Sequence, residues 1–300
     1  MGLSAYNIKR WTRMIAGKSI YHVDQNIGTV FKPGELNGYF NDLTQKVLLG
    51  GKNLESNGIP FLEHSDGSHV QMPTMIFQYG LGAYDLWLIR KDREYLDKAI
   101  LCADWAIEHQ EENGAWSTFF YIYPESPYSS MPQGEAVSLL VRIYKETNED
   151  KYMTCAYKAL HFMLSDISEG GVSNHNNGDL IFLEYTHLPV VLNGWIFAAF
   201  GLYDASLIDK SYKENFLQTI NTLARYLPKF DSGYWSLYDI DGKVASPFYH
   251  NLHIAQLKAL CEVSENETFR YYYKLFGEYQ SAPINKMRAF IKKAIQKIEE

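Results

Sequence analysis

The sequence predicts an all-α protein, an α/α barrel or toroid of about four helix pairs with short β-hairpins in the connecting loops at one end. Three observations carry that expectation. From Pro73 onward apolar residues recur at helical spacing. The helical stretches come as pairs joined by short polar turns, such as Arg90-Lys91-Asp92 and Asn148-Glu149-Asp150. Between pairs the connections are longer and open alike, with Glu112-Asn113-Gly114-Ala115-Trp116, Ser168-Glu169-Gly170-Gly171-Val172 and Asp231-Ser232-Gly233-Tyr234-Trp235 recurring roughly every sixty residues. A helix pair repeated at that period stacks on its neighbours, and stacked pairs that curve close into a ring.

Residues 1–72 lack the period and carry turn material at Lys32-Pro33-Gly34 and Asn57-Gly58-Ile59-Pro60, so they read as an irregular arm packed on the barrel. The barrel spans 73–280, with pairs at 73–90 and 92–112, 130–148 and 149–166, 188–206 and 210–228, and 250–264 and 266–280. Within a pair the helices differ. Leu188 to Leu202 is nearly continuous apolar sequence and reads as inner, whereas 210–228 carries Lys210, Lys213, Glu214 and Arg225 and reads as outer. The recurring glycine is expected to cap each outer helix, with the aromatic after it plugging the next loop. Asn177-Gly178-Asp179 and Asp241-Gly242, flanked by alternating apolar residues, predict hairpins. An amphipathic helix over 284–299 ends the chain, and the absence of a low-complexity linker makes 1–300 a single domain. Alternating inner and outer helices gather the long connections at one end, where a site belongs.

Composition narrows the function. A net charge of −7 argues against a grip on nucleic acid through bulk charge. The local basic groups Lys9, Arg10, Arg13 and Lys18, and Lys286, Arg288, Lys292, Lys293 and Lys297, read as solvated helix faces. Cys102, Cys155 and Cys261 have neither CxxC nor Cys/His spacing and read as reduced core residues. No signal peptide and no membrane span are expected, which places the protein in the cytoplasm. Aromatic residues make up 15% of the chain, a content that suits sugar-stacking clefts and large helical cores alike.

The chemistry-bearing residues sit at the loop ends. No GxSxG, HExxH, P-loop or GxGxxG pattern occurs, so neither a nucleotide nor any other cofactor is expected. Instead Ser126–Glu135, Phe182–Pro189 and Ser246–His253 lie at equivalent places and aim Tyr128, Glu184, Tyr185 and Tyr249 at one rim. His250 and His253 are three apart on one helical face, but no third ligand stands at suitable spacing, so no metal site is assigned.

Tyr128-Ser-Ser-Met-Pro-Gln-Gly-Glu-Ala136 with Leu140-Val-Arg-Ile-Tyr144, Glu184-Tyr185 with Val191-Leu-Asn-Gly-Trp195 and Phe200-Gly-Leu-Tyr-Asp204, Leu227 to Gly233, Leu237-Tyr-Asp239, and Tyr249-His-Asn-Leu-His-Ile-Ala-Gln-Leu257 resemble, in order and spacing, the C-terminal catalytic domain of D-glucuronyl C5-epimerases. Gln78-Tyr-Gly-Leu81 and Asp104 to Gln110 extend the likeness over roughly 75–275. Animal members carry a β-rich domain between these two segments, and here about twenty residues separate them. The resemblance therefore implies a compact form without the dimer contacts, polymer grip or structural calcium of that domain, although a homodimer stays open. It implies inversion of C5 of D-glucuronate to L-iduronate within a heparosan-like glycan. Glu184 and Tyr249 would be the acid/base pair, with Tyr185 and Tyr238 beside them. Substrate contacts would come from Tyr128, Gln133, Arg142, Asn193, His250, His253 and Trp116. Partners would be the uronate-containing glycan and other glycan-biosynthesis enzymes. The family places an arginine soon after its Leu-Tyr-Asp segment, whereas Ile240 and Asp241 follow Asp239 here. The alternatives are a uronate lyase or unsaturated-glucuronide hydrolase on an α/α toroid, and a non-catalytic glycan-binding homologue.

Overall fold

Proline and serine set the inner helices. Helix α2 (Pro73–Arg90) opens on Pro73, whose missing N–H would have no intrahelical partner there. Ser129 caps α4 (Ser130–Thr147) by accepting from the Met131 N–H. Ser246 caps α8 (Pro247–Val263) by accepting from the Tyr249 N–H, with Pro247 at the first position. Helix α6 (Leu192–Ile208) has no side-chain cap, but the Leu192 N–H donates to the Tyr238 carbonyl at 3.1 Å. The outer helices are α3 (Arg93–His109), α5 (Asp150–Leu164), α7 (Lys213–Tyr226) and α9 (Glu267–Ser281). Lys91 and Asn148 take left-handed φ values of 56° and 57° and turn α2 into α3 and α4 into α5, as the polar joins predict. These boundaries come from a computed structural model that describes residues 25–50, 53–63 and 67–299; the basic cluster Lys9, Arg10, Arg13 and Lys18 lies outside them.

Each inner helix packs against its outer partner, and the inner helices pack in the order α2, α4, α6, α8. The expected α/α toroid is the architecture found. At its tightest crossing, a Cβ at Gly134 would sit 2.6 Å from the Ala198 Cα, and one at Gly201 would sit 2.5 Å from the Gly134 Cα. Two glycines thus let the α4 and α6 backbones touch. Around them Trp195, Phe197, Phe200, Leu139 and Leu140 are sealed from solvent.

Three boundary expectations need correction. Helix α6 begins at Leu192 rather than 188, because Val190 and Val191 pair with the 238–240 segment instead. Helix α8 begins at Pro247 rather than 250, which puts Tyr249 in its first turn. Gly114, Gly170 and Gly233 do take left-handed φ values of 89°, 85° and 79°, but they close turns beyond the outer helices and do not cap them. The Asn177-Gly178 turn joins β3 (Ser173–Asn174) to β4 (Ile181–Phe182), with Ser173 opposite Phe182. The Asp241-Gly242 turn joins single bridges, such as Leu237 with Val244.

The arm penetrates the molecule further than a surface packing would. It contains α1 (Thr44–Gly50) and a hairpin of β1 (Leu62–Glu63) with β2 (His69–Val70). Tyr39, Phe40 and Leu43 are at most 1% exposed, and the Phe40 ring stacks on Phe200 with centroids 3.7 Å apart. Arg142 donates to the Asn37 and Gly38 carbonyls and pairs with Asp204 at 2.6 Å, which ties the arm to the C-terminal halves of α4 and α6. The arm therefore plugs the end away from the long connections. Helix α10 (Pro283–Glu299) docks through buried Ala289, the Arg288 guanidinium 3.9 Å over the Tyr234 ring, and Lys293 donating to the Val244 carbonyl. Among the described residues no helix is long and apolar enough to cross a membrane.

Candidate active site

The inner helices all present their N-terminal turns to one cavity of about 260 Å³. Thr74 and Gln78 of α2, Met131 of α4 with its cap Ser129, Asn193 of α6, and Phe248, Tyr249 and Leu252 of α8 line it, together with Glu184 and Lys46. Helix N-termini carry partial positive charge and unpaired N–H groups, so four of them around one space favour an anion there.

Glu184 follows β4, and the backbone holds it from both sides. The Leu183 carbonyl accepts from the Ser130 N–H at 2.9 Å and the Leu183 N–H donates to Val172. The carboxylate is 7% exposed. Tyr238 donates its hydroxyl to Oε1 at 3.1 Å and Asn193 its amide to Oε2 at 3.4 Å. Burial pushes the Glu184 pKa up to about 7, and the hydrogen bonds from Tyr238, Tyr185, Asn193 and the Gly194 N–H hold it from rising further. Gly194 makes that seat: a Cβ there would come 2.7 Å from the Glu184 Cβ and 3.0 Å from its Cδ.

Phenols surround this carboxylate. The Tyr238 and Tyr249 rings lie 4.9 Å apart, and Tyr185 stacks on Phe119 at 4.6 Å. Burial, and then the charge of Glu184, push the Tyr185 and Tyr238 hydroxyls above the ordinary phenol range. Both stay protonated at neutral pH, so they serve as donors. Glu184 is the group beside them that titrates near neutrality.

Of the residues expected at the site, the cavity region brings together Glu184, Tyr185, Tyr238, Tyr249 and Asn193. The other expected contacts go elsewhere. Trp116 is 1% exposed and its indole donates to the Ala106 carbonyl, so it is a core residue. Gln133 is sealed and donates to the carbonyls of Trp116 and Ser129. Arg142 is consumed by Asp204 and the arm. The Tyr128 hydroxyl donates to Glu111 at 2.6 Å and accepts from the Asn113 amide, and Tyr128 is not among the cavity's lining. His250 and His253 are fully buried, both Nδ1 atoms meet the Ser236 hydroxyl, and the His250 Nε2–H donates to the Phe276 carbonyl. Burial lowers the His250 pKa to about 3 and takes His253 well below its usual value, so both are neutral packing residues.

Among the residues at or behind the cavity that were not expected contacts are Phe119, Gln78, Glu135 and Lys46. Phe119 and Gln78 line it, and Gln78 donates to Glu135 Oε1 at 2.6 Å. Glu135 is sealed, and burial pushes its pKa up to about 8 against the lowering pull of Gln78 and Lys46. Lys46 comes from the arm. Gln78 and Glu135 lie within the family-like segments, but nothing in an aperiodic arm marks one lysine as facing a cavity. A second cleft of about 480 Å³ shares Gln25 and Phe248 with the first and runs between the arm and α8 and α9 past Asn251, Ile254 and Gln280.

The chain is similar to the D-glucuronyl C5-epimerase of Caenorhabditis elegans, with 29% identity over 196 residues that cover 55% of this chain and 32% of that protein. It is also similar to an uncharacterized protein of Methanocaldococcus jannaschii, with 30% identity over 161 residues, 49% of this chain and 50% of the other. The chain thus spans half or less of the length of these relatives. Among solved structures, the cellobiose 2-epimerase of Spirochaeta thermophila superimposes with a TM-score of 0.53 at 12% identity, over 84% of this chain and 77% of that one, a likeness of fold alone. Residues 110–278, more than half of the chain, match the D-glucuronyl C5-epimerase C-terminus family, and the chain belongs to that family.

Proposed function

We propose that the protein is a glycan epimerase that inverts C5 of D-glucuronate to give L-iduronate within a heparosan-like chain. The observation that carries this reading is Glu184, a buried carboxylate with a pKa near 7 that shares one cavity with the Tyr249 phenol. Inversion at C5 needs a base to take the proton alpha to the C6 carboxylate and an acid to return one to the other face. A carboxylate lifted to about 7 is a stronger base than a free one and is still ionised in about half of the molecules at neutral pH.

The steps balance without a cofactor. One member of the pair takes the C5 proton as the C–H electron pair moves into the C5–C6 bond, leaving an enolate whose charge spreads over the carboxylate oxygens. The other delivers a proton to the opposite face. In the reverse direction the roles exchange, and exchange with water resets the pair. Asn193 and the Tyr185 and Tyr238 hydroxyls supply fixed donors, and donors placed in advance commonly contribute most to stabilising such an anion. The adjoining cleft supports an oligosaccharide over a single sugar, because the residues flanking a reacting uronate need room on both sides.

The test is turnover of Glu184→Gln and Tyr249→Phe on a heparosan oligosaccharide. Both variants are expected to fold and to lose roughly 10²–10⁴-fold in kcat. Full activity in either would remove that residue from the pair.

A further inference from the structure

We propose that Lys46 is the seat of the uronate C6 carboxylate, a cationic subsite supplied by the arm rather than by the barrel. The inference rests on the epimerase reading and adds to it the group that recognises the acid of the sugar.

Among the described residues that line the 260 Å³ cavity, Lys46 is the one lysine or arginine. The Asp42 carboxylate, accepting from the Thr44 N–H and hydroxyl, starts the short helix α1 that carries it. That helix is seated on α2 at Gly82, where a Cβ would come within 2.4 Å of the Leu43 carbonyl oxygen. Gln78 lies one turn earlier on the same face of α2 and also lines the cavity. The small residue at 82 thus lets α1 approach closely enough for Lys46 to reach the space beside Gln78.

The cavity also joins Lys46 to four inner-helix N-termini, which set positive charge opposite the Glu184 carboxylate that lines the same space. The carboxylate behind it, Glu135, is sealed from solvent and bonded to Gln78, so it is no ligand for a sugar. Burial lowers the Lys46 pKa to about 8, and Glu135 opposes that shift. An ammonium held under such desolvation gains from an incoming carboxylate more than a surface lysine would. As C5 loses its proton the carboxylate takes on further negative charge, so the same contact tightens when it is needed. The hairpin after Tyr238 brings Ile240 and Asp241 at the positions next to Asp239, while Asp239 itself accepts from the Asp241 and Lys243 N–H groups to hold the turn. Residues 239–243 of that hairpin are not among the cavity's lining, whereas Lys46 of the arm is.

The alternative is that Lys46 only neutralises Glu135. Binding of a heparosan hexasaccharide and of its carboxyl-reduced counterpart, in which each C6 acid is an alcohol, separates the two roles. Calorimetric titration of the unmodified protein, Lys46→Met and Lys46→Arg gives the affinities, with thermal melting as the check on folding. We expect the unmodified protein to prefer the acidic oligosaccharide by about tenfold or more. Lys46→Met should lose that preference and Lys46→Arg should keep it. The alkaline limb of the kcat/KM profile, falling as pH rises through about 8 in the unmodified protein, should move upward in Lys46→Arg. A preference that survives in Lys46→Met would overturn the Lys46 subsite and leave the uronate reading standing. An unmodified protein that binds both oligosaccharides equally, or neither, would overturn both.

Discussion

Glu184 owes its chemistry to neighbours that are themselves fixed by backbone, and this makes its behaviour predictable. In the proposed reaction it must be a carboxylate to take a proton, so kcat/KM should fall as pH drops through about 7, with a slope of one proton. A pH–rate profile that stays flat down to about 5 would remove Glu184 as the base. Gly194→Ala puts a methyl group against the Glu184 Cβ and carboxyl carbon, so it should cut kcat and, as buried overpacking, lower the melting temperature as well. At this scale the sequence was partly legible. Glu184, Tyr185, Asn193, Tyr238 and Tyr249 were marked by their place at loop ends or in matched segments. Trp116, Gln133, Arg142, His250 and His253 were marked in the same way, yet they turn inward, because a polar side chain can satisfy a backbone carbonyl or a buried partner as readily as a ligand. Sequence spacing gives the position of a residue and leaves its rotamer open.

Between elements, the contacts that matter most are the glycine crossing of α4 with α6 and the pair of Arg142 with Asp204. Gly134→Ala would set a methyl group against the Ala198 backbone, which cannot retreat without moving α6, and overpacking of this kind costs about 1–3 kcal/mol. Urea unfolding measures it. Arg142→Met leaves Asp204 buried without its cation and releases the Asn37 and Gly38 carbonyls, a loss of about 3–5 kcal/mol. If Arg142→Met were as stable as the parent but weak in substrate binding, the arginine would be a ligand after all. Helix pairing was readable because the chain joins the helices of a pair by short polar turns and because α6 is nearly continuous apolar sequence whereas α7 is apolar on a single face. The starts of α6 and α8 were misread by three or four residues, since Val190 and Val191 continue the apolar run while pairing with the hairpin and Pro247 serves as well inside a first turn as before it.

In the whole molecule, the two ends of the toroid have different owners. The N-terminal ends of the inner helices hold the cavity, and the arm closes the other end with Tyr39 and Phe40 while sending α1 back to the cavity with Lys46. The arm is the least legible part of the fold, because its buried residues are spaced by tertiary contacts rather than by a helical or strand period. Asp85 of α2 accepts from the Tyr39 N–H where arm and barrel meet, and burial pushes its pKa up to about 8. A carboxyl whose folded pKa is raised favours the native state while protonated, so its contribution is complete at low pH and is lost as pH rises through about 8. Melting temperature should therefore decline over that interval, and Asp85→Asn, which keeps an acceptor for Tyr39, should flatten the decline. The central claim concerns one carbon atom, and one measurement reaches it: proton NMR of heparosan oligosaccharides incubated with the protein in deuterated water. Epimerisation predicts deuterium at uronate C5 together with iduronate signals. A C4=C5 double bond would make the enzyme a lyase, and an unlabelled, unchanged oligosaccharide would contradict the account.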